Sequence, residues 1–460
     1  MKTQNNNTSK SNTVSSTFSN TRRVFIKLCS AVAAGGFSSL LLPQASEAKN
    51  YLELLKNGAS QGIADELYWN YVRSQFVLKP RLIYMNTGTE GSMPRAILSR
   101  MGKYAKEFAA NPWDAVIEND RLKYMMTENR TKVAEFLGTT LEEIVLTTNT
   151  TEGMSFTANG LDLQEGDEVL TTLHEHSAGL CCWELLRERR NVTVTQLELP
   201  TPAENKDEII AAFADTITPQ TKVMSFCHIN FTTGLRMPVN ELCQLARDHD
   251  IISVIDGAHA IGMINVNLDE IGCDFYATSP HKWLNAPPGT GVLYMREGVQ
   301  DILWPTVTEA SASRNGCSVF QARGQQCTPA YACLNEAIDF QNTIGKDKIE
   351  ERILALSTYL KEKVKENWGE EKLFSPTDEA LSSGLVSFNP FDDPFEKEKI
   401  SEVSRTLKDD YNIVIRTTHF RDKNSDAQNK RALRASTHIF NNYNEIDKLI
   451  STIQTIIANL

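Results

Sequence analysis

The chain has 460 residues, 41% of them hydrophobic and 23% charged, and a formal net charge of -11 at pH 7. That length allows one or two packed domains with a real apolar core, and the acidic balance excludes the electrostatic footprint of a nucleic-acid binder. Its 9 cysteines show no C-x-x-C pair and no metal-ligand spacing, which argues against a disulfide framework and against a metal site.

The amino terminus has a different character. An Asn/Ser/Thr-rich stretch precedes "TRRVFIK" (21–27) and a mostly apolar, small-residue run from Leu28 to Leu42. Arg22 and Arg23, followed by Phe25, Ile26 and Lys27, resemble a twin-arginine signal, and Ser46 and Ala48 supply the small residues a signal peptidase needs. Residues 1–48 are therefore expected to be a signal segment for the twin-arginine export machinery, and the mature chain to be periplasmic or otherwise exported. The run is too short for a comfortable membrane span. Free thiols in an exported protein fit a route that carries folded chains.

Residues 49–86 read as an amino-terminal arm, with helical spacing in "DELYWNYVRSQFVL" (65–78) and a short strand in "RLIYMNTG" (81–88). Over 87–310, helical patterns such as "RLKYMMTENRTKVAEFLG" alternate with β-rich runs at 143–148, 167–172, 222–229, 251–256, 274–279 and 291–295. Such alternation predicts an α/β domain with a mostly parallel sheet. Beyond 310 a helix-rich stretch (330–368) precedes the strand candidates "GLVSFN", "NIVIRT" and "RALRAS", which predicts a smaller α+β domain over 311–460.

In open α/β sheets, ligands bind beyond the carboxyl ends of the strands, and three strand ends here carry chemistry. "IVLTTNTTEG" passes into a helix with Thr150 and Thr151 at the junction, where free backbone N–H groups suit a phosphate, although a plain N-cap with a capping-box glutamate would look the same. "IISVIDGAHA" ends on Asp256 with His259 three residues later, a pattern that also suits a structural cap. "FYATSPHKW" delivers Ser279, His281 and Lys282 together before Trp283 and "NAPPGTG". Burial of that lysine would lower its pKa and free its lone pair for attack on a carbonyl. One cofactor, pyridoxal 5'-phosphate, would use an aldehyde-capturing lysine, an anion beside its pyridinium nitrogen and a phosphate cup.

With these motifs in order, together with "LHEHSAG" and "RAS", the sequence resembles the fold-type-I, class V aminotransferase family, and most closely its isopenicillin N epimerase-like branch. The resemblance runs from about "YWNYVRSQF" to the carboxyl terminus. It implies Lys282 as the Schiff-base lysine and proton shuttle, Asp256 as the partner of the ring nitrogen, and His176 stacked on the cofactor. Thr150, Thr151, Ser279 and His281 would gather the phosphate, His259 would approach the phenolic oxygen, and Arg434 would grip the carboxylate of a small amino-acid substrate. It also implies a homodimer with sites between subunits.

Three departures stand out. The stretch "RTTHFRDKNSDAQNKRALRAS" lacks the reactive cysteine of related desulfurases, so persulfide chemistry is not expected. Phe231 occupies a place that is often polar, leaving open whether Asn230 substitutes, and Gln325 replaces a common phosphate-binding threonine. The expected activity is a class V aminotransferase-like or epimerase-like reaction at Cα of an amino acid. The alternatives are a carbon-sulfur lyase and a non-catalytic binder that kept the fold.

Overall fold

The computed structural model describes residues 65–113, 121–308, 316–421 and 429–460. The signal segment expected at 1–48 lies outside the described residues. After a helix at Asp65–Ser74, β1 (Ile83–Tyr84) leads into the strands β2 (Ile144–Thr147), β3 (Glu168–Thr172), β4 (Thr193–Leu197), β5 (Thr221–Cys227), β6 (Ile252–Asp256), β7 (Phe275–Thr278) and β8 (Gly291–Met295). Strands β2 to β8 form one sheet in the order β2-β8-β7-β6-β5-β3-β4.

Successive residues of these strands feed two separate cores. Val145, Val169, Val223 and Val254 pack in one cluster, while their neighbours Leu146, Leu170, Met224 and Ile255 pack in another. Side chains alternate across a strand, so apolar runs without polar interruption mean a sheet covered on both faces. Helices such as Thr150–Gly160 and Ser177–Arg190 follow the strands that precede them and supply that cover.

Two features differ from the sequence expectation. Strand β8 is antiparallel to both its neighbours, β2 and β7. The connection over 279–290 contains no crossover helix, and without one the chain can only return antiparallel. Strand β4 escaped notice because it is an edge strand, paired only with β3 and partly exposed, so its apolar signal is diluted.

Past helices at Thr328–Ile344 and Lys346–Trp368 lie β9 (Leu385–Phe388), β10 (Ile413–Val414), β11 (Arg416–Phe420) and β12 (Lys430–Ser436). An antiparallel sheet β11-β12-β9 forms here, while β10 pairs in parallel with β1. The run "NIVIRT" is thus split at Ile415 between two partners. Because β1 joins β10, the turn at Gly88–Gly91 is delivered to the end of β12, where the Gly88 N–H donates to Ser436 Oγ at 3.2 Å.

Candidate active site

Strands β2 and β7 are both antiparallel to β8 and so end at the same edge of the sheet as β6. At that edge lies a cavity of about 240 Å³. Thr150, Thr151, His176, Asp256, His259, Ser279, His281, Lys282 and Arg434 all line it, joined by Thr89, Cys227, Phe231 and Arg416.

One end is built from the helix start at Thr150. Asn149, rather than a threonine, is the N-cap: its Oδ1 accepts the Glu152 N–H at 3.0 Å, and the Glu152 carboxylate accepts the Thr148 N–H at 2.6 Å. This releases Thr150, whose N–H donates to Ser279 Oγ at 3.0 Å and whose hydroxyl lies 2.8 Å from the same atom. The two groups touch although β8 separates their strands. Gly291 opens β8 below them, and a Cβ there would sit 2.4 Å from the Asn149 nitrogen. Nδ1 of His281 is buried nearby without a hydrogen-bond partner in the protein. Helix-start amides, hydroxyls and an unpaired imidazole nitrogen could together hold an anion.

Arg323, which no local motif marks, pairs with Glu152 and also donates to the Leu146 carbonyl. It fixes the helix start from below. Gln325, two residues on, is exposed and does not line the cavity.

At the centre, Lys282 Nζ lies 3.3 Å from His259 Nε2, while the Trp283 indole N–H donates to His259 Nδ1 at 3.2 Å. Desolvation lowers the Lys282 pKa to about 8, with Asp256 pulling the other way. The Asp256 carboxyl is itself raised by burial, and its Oδ1 accepts the Ala258 N–H at 2.9 Å. A further carboxyl stands behind it: Glu175 accepts from Thr172 Oγ1 at 2.6 Å and is pushed up to about 8, first by burial and also by the Asp256 charge. Burial and the neighbouring Asp256 charge both favour the protonated form of Glu175. Burial forces His259 well below the usual imidazole range.

At the mouth, Arg434 is almost fully buried, and its Nη1 donates to the Phe231 carbonyl at 2.8 Å while Nε has no partner. The Phe231 ring meets the His176 ring edge-on at 5.0 Å. His176 accepts the Ala178 N–H on Nδ1, and its pKa falls to about 4 through desolvation and the charges of Lys282, Arg416 and Arg434. Phe231 thus meets Arg434 through its carbonyl and His176 through its ring. The Asn230 side chain accepts the Thr232 and Thr233 N–H groups within its own turn and does not line the cavity. Arg416 and Thr89 were not signalled by sequence, although Arg416 stands in the strand run beside "RALRAS".

The donors present fit a phosphorylated pyridine aldehyde: an anion cup, an amine, a buried carboxylate and an unsatisfied guanidinium N–H in one cavity. Among the described residues, no group of three or more His, Cys, Asp or Glu could hold a metal ion. No described helix is long and apolar enough to cross a membrane.

The chain belongs to the aminotransferase class-V family, which it matches over residues 83–449. It is similar to the isopenicillin N epimerase of Streptomyces clavuligerus, with 30% identity covering 70% of this chain and 84% of that one. In structure it resembles the apo cysteine desulfurase of Thermococcus onnurineus NA1, with a TM-score of 0.72 and 25% identity over 85% of this chain and 98% of that one. It also resembles a lysine-to-alanine mutant of C-DES with glycine covalently linked to its PLP cofactor, with a TM-score of 0.73 and 22% identity over 83% of this chain and 98% of that one. The α/β fold with its mostly parallel sheet is that of the fold-type-I enzymes.

Proposed function

We propose that this chain is a pyridoxal-phosphate-dependent enzyme acting at Cα of an amino acid, of the aminotransferase or epimerase kind. The observation that carries the reading is the convergence of Lys282, Asp256, the Thr150–Ser279 pair and Arg434 on one cavity. When bound, the cofactor supplies an electron sink for the bond broken at Cα.

The remaining work falls to the chain. Lys282, with its pKa lowered to about 8, has a free-base fraction near neutrality for capturing an aldehyde, and it then moves the Cα proton. Asp256 would keep a proton on the ring nitrogen, and Thr150, Thr151, Ser279 and His281 would hold the phosphate. His176 would flank the ring, His259 would face its phenolic oxygen, and Arg434 would bind the substrate carboxylate with a planar fork suited to it. Epimerisation and transamination use the same residues and differ in where Lys282 returns its proton.

A persulfide-forming desulfurase is not supported, because the β11–β12 segment contains no cysteine and, among the described residues, the one thiol lining the cavity, Cys227, is pushed well above its ordinary pKa by burial. The reading includes a homodimer, supported by the family resemblance, and export, supported by the Arg22–Arg23 layout ahead of the apolar run.

The test is the visible absorbance of the protein with added pyridoxal phosphate. A band that Lys282→Ala abolishes is expected, and no band in the wild type would overturn the reading. Incubation with single amino acids in heavy water then separates the chemistries: deuterium at Cα with racemisation marks an epimerase, a keto acid marks a transaminase, and pyruvate with sulfide marks a carbon-sulfur lyase. Cell fractionation with Arg22 and Arg23 replaced by lysine tests export, and light scattering tests the dimer.

A further inference from the structure

Trp283 is wholly buried, yet its indole N–H is directed into the catalytic cluster, at 3.2 Å from His259 Nδ1. An indole nitrogen can only donate. A neutral imidazole carries one N–H, so a ring accepting on Nδ1 has its proton on Nε2. That nitrogen faces Lys282 Nζ at 3.3 Å. His259 therefore presents a donor to the lysine and cannot accept from its ammonium form.

Two neighbours, Gln341 and His438, hold Trp283 in place. Its own backbone carbonyl accepts from Gln341 Nε2 and from His438 Nε2, each at 3.1 Å. The His438 ring stacks on the indole at 5.5 Å with an interplanar angle of 15°, and its Nδ1 accepts the Ile439 N–H at 2.8 Å, which leaves its own Nε2 as the donor. His438 also stacks on Phe440 at 4.8 Å. The backbone of Trp283 is thus fixed from two residues, and one face of its buried indole is covered by the His438 ring.

We infer that Trp283 is a positioning residue that fixes His259 as its Nε2–H tautomer, so that His259 offers Lys282 a donor and thereby favours the free amine over the ammonium. The chain thus carries a device for keeping its central lysine nucleophilic besides burial. The same tautomer would offer a donor to a phenolic oxygen, a clause that rests on the cofactor reading above. The tautomer itself does not depend on that reading.

The test uses full-length protein labelled with ring-15N histidine, with and without added pyridoxal phosphate. The wild type should show His259 Nδ1 as an unprotonated, hydrogen-bonded nitrogen and Nε2 as protonated, and Trp283→Phe should mix or reverse that pattern. In parallel, the pH midpoint for carbamylation of Lys282 by cyanate should rise by about one unit in Trp283→Phe, since an imidazole free to accept stabilises the ammonium. Gln341→Leu removes one of these backbone contacts but keeps the donor, and should leave the tautomer as in the wild type. A protonated Nδ1 in the wild type overturns the inference without any variant, as does a Trp283→Phe protein with both readouts unchanged. Failure of the cofactor reading would appear separately, as absent visible absorbance on adding pyridoxal phosphate.

Discussion

Arg416 and Arg434 are direct partners across β11 and β12, and both donate to the hydroxyl of Thr89, at 3.2 and 3.4 Å. Like charges placed opposite each other in an antiparallel pair repel, and the Arg434 pKa is lowered by burial and then by Arg416. A guanidinium nevertheless stays charged at neutral pH, so the pair is suited to an anion held by the two guanidinium groups. Arg434→Ala should raise KM for the amino acid about 10- to 100-fold, the loss of a charge-assisted hydrogen bond of about 1.5–3 kcal/mol. Arg434→Lys should recover only part of this, because the planar fork is gone. Arg416→Ala, at an exposed position, should have a smaller effect on KM and should slightly stabilise the unliganded fold. Steady-state kinetics and urea unfolding check the two effects.

Alkaline stability should be governed by buried thiols. Cys182, Cys243, Cys317 and Cys333 are each pushed up to about 12 by burial, whereas an unfolded thiol titrates at ~8.5. Their contribution is complete below that pH and is lost as pH rises toward 12. Lys282 has the opposite sense: its folded pKa of about 8 is below the unfolded value, so its penalty is relieved between about pH 8 and ~10.4. The urea midpoint should therefore fall above about pH 8.5, and Lys282→Met should steepen the fall by up to about 1.4 kcal/mol per pH unit.

Acid should act through buried imidazoles. Burial lowers His228 to about 3 and His438 to about 4, and His259 lies well below its ordinary value. The unfolded chain takes up those protons at ~6.5 and the native chain does not. Stability should drop as pH falls from about 6.5 toward 4, by more than about 1.4 kcal/mol per unit because several histidines contribute. Glu175, raised to about 8, and Asp256 and Glu90, also raised, oppose this as three carboxyls against six lowered imidazoles. Unfolding measured at half-unit pH steps checks the slope.

Gly91 tests the seating of the turn over the lysine. A Cβ there would fall 1.9 Å from the Lys282 carbonyl oxygen, a backbone atom that cannot swing aside, and the Gly91 N–H donates to the His281 carbonyl at 3.0 Å. Gly91→Ala should cost about 1–3 kcal/mol as an overpacking change. It should also weaken cofactor retention, measured by the loss of visible absorbance on dialysis.

The sheet and most of the candidate site were legible because their residues sit where a strand stops: Asp256 ends β6, Ser279 follows β7, and Thr150 starts the helix after β2. An apolar run followed abruptly by polar residues is a strong local signal. What escaped depends on contacts far apart in sequence. The direction of β8 follows from a loop that lacks a helix, and the exposed residues of β4 weaken its pattern. Arg416 and Thr89 gain meaning only when β1 and β10 pair and carry the Gly88–Gly91 turn to β12. Glu175 and Arg323 show nothing in sequence to mark them, because one is defined by a neighbouring carboxylate and the other by a helix start over a hundred residues away.

Gly291 contributes no functional atom, yet it determines whether two non-adjacent strands can share a ligand. Because β8 begins without a side chain, the backbone at Asn149 leans across it and Thr150 reaches Ser279. Replacement by alanine would wedge the helix start away from the lysine loop, dividing one anion cup into two half-sites. Cofactor affinity should then fall about tenfold or more, the equivalent of a lost charged hydrogen bond, while Lys282, Asp256 and Arg434 all remain in place. The tightness of this enzyme's grip would thus be set by a missing methyl group.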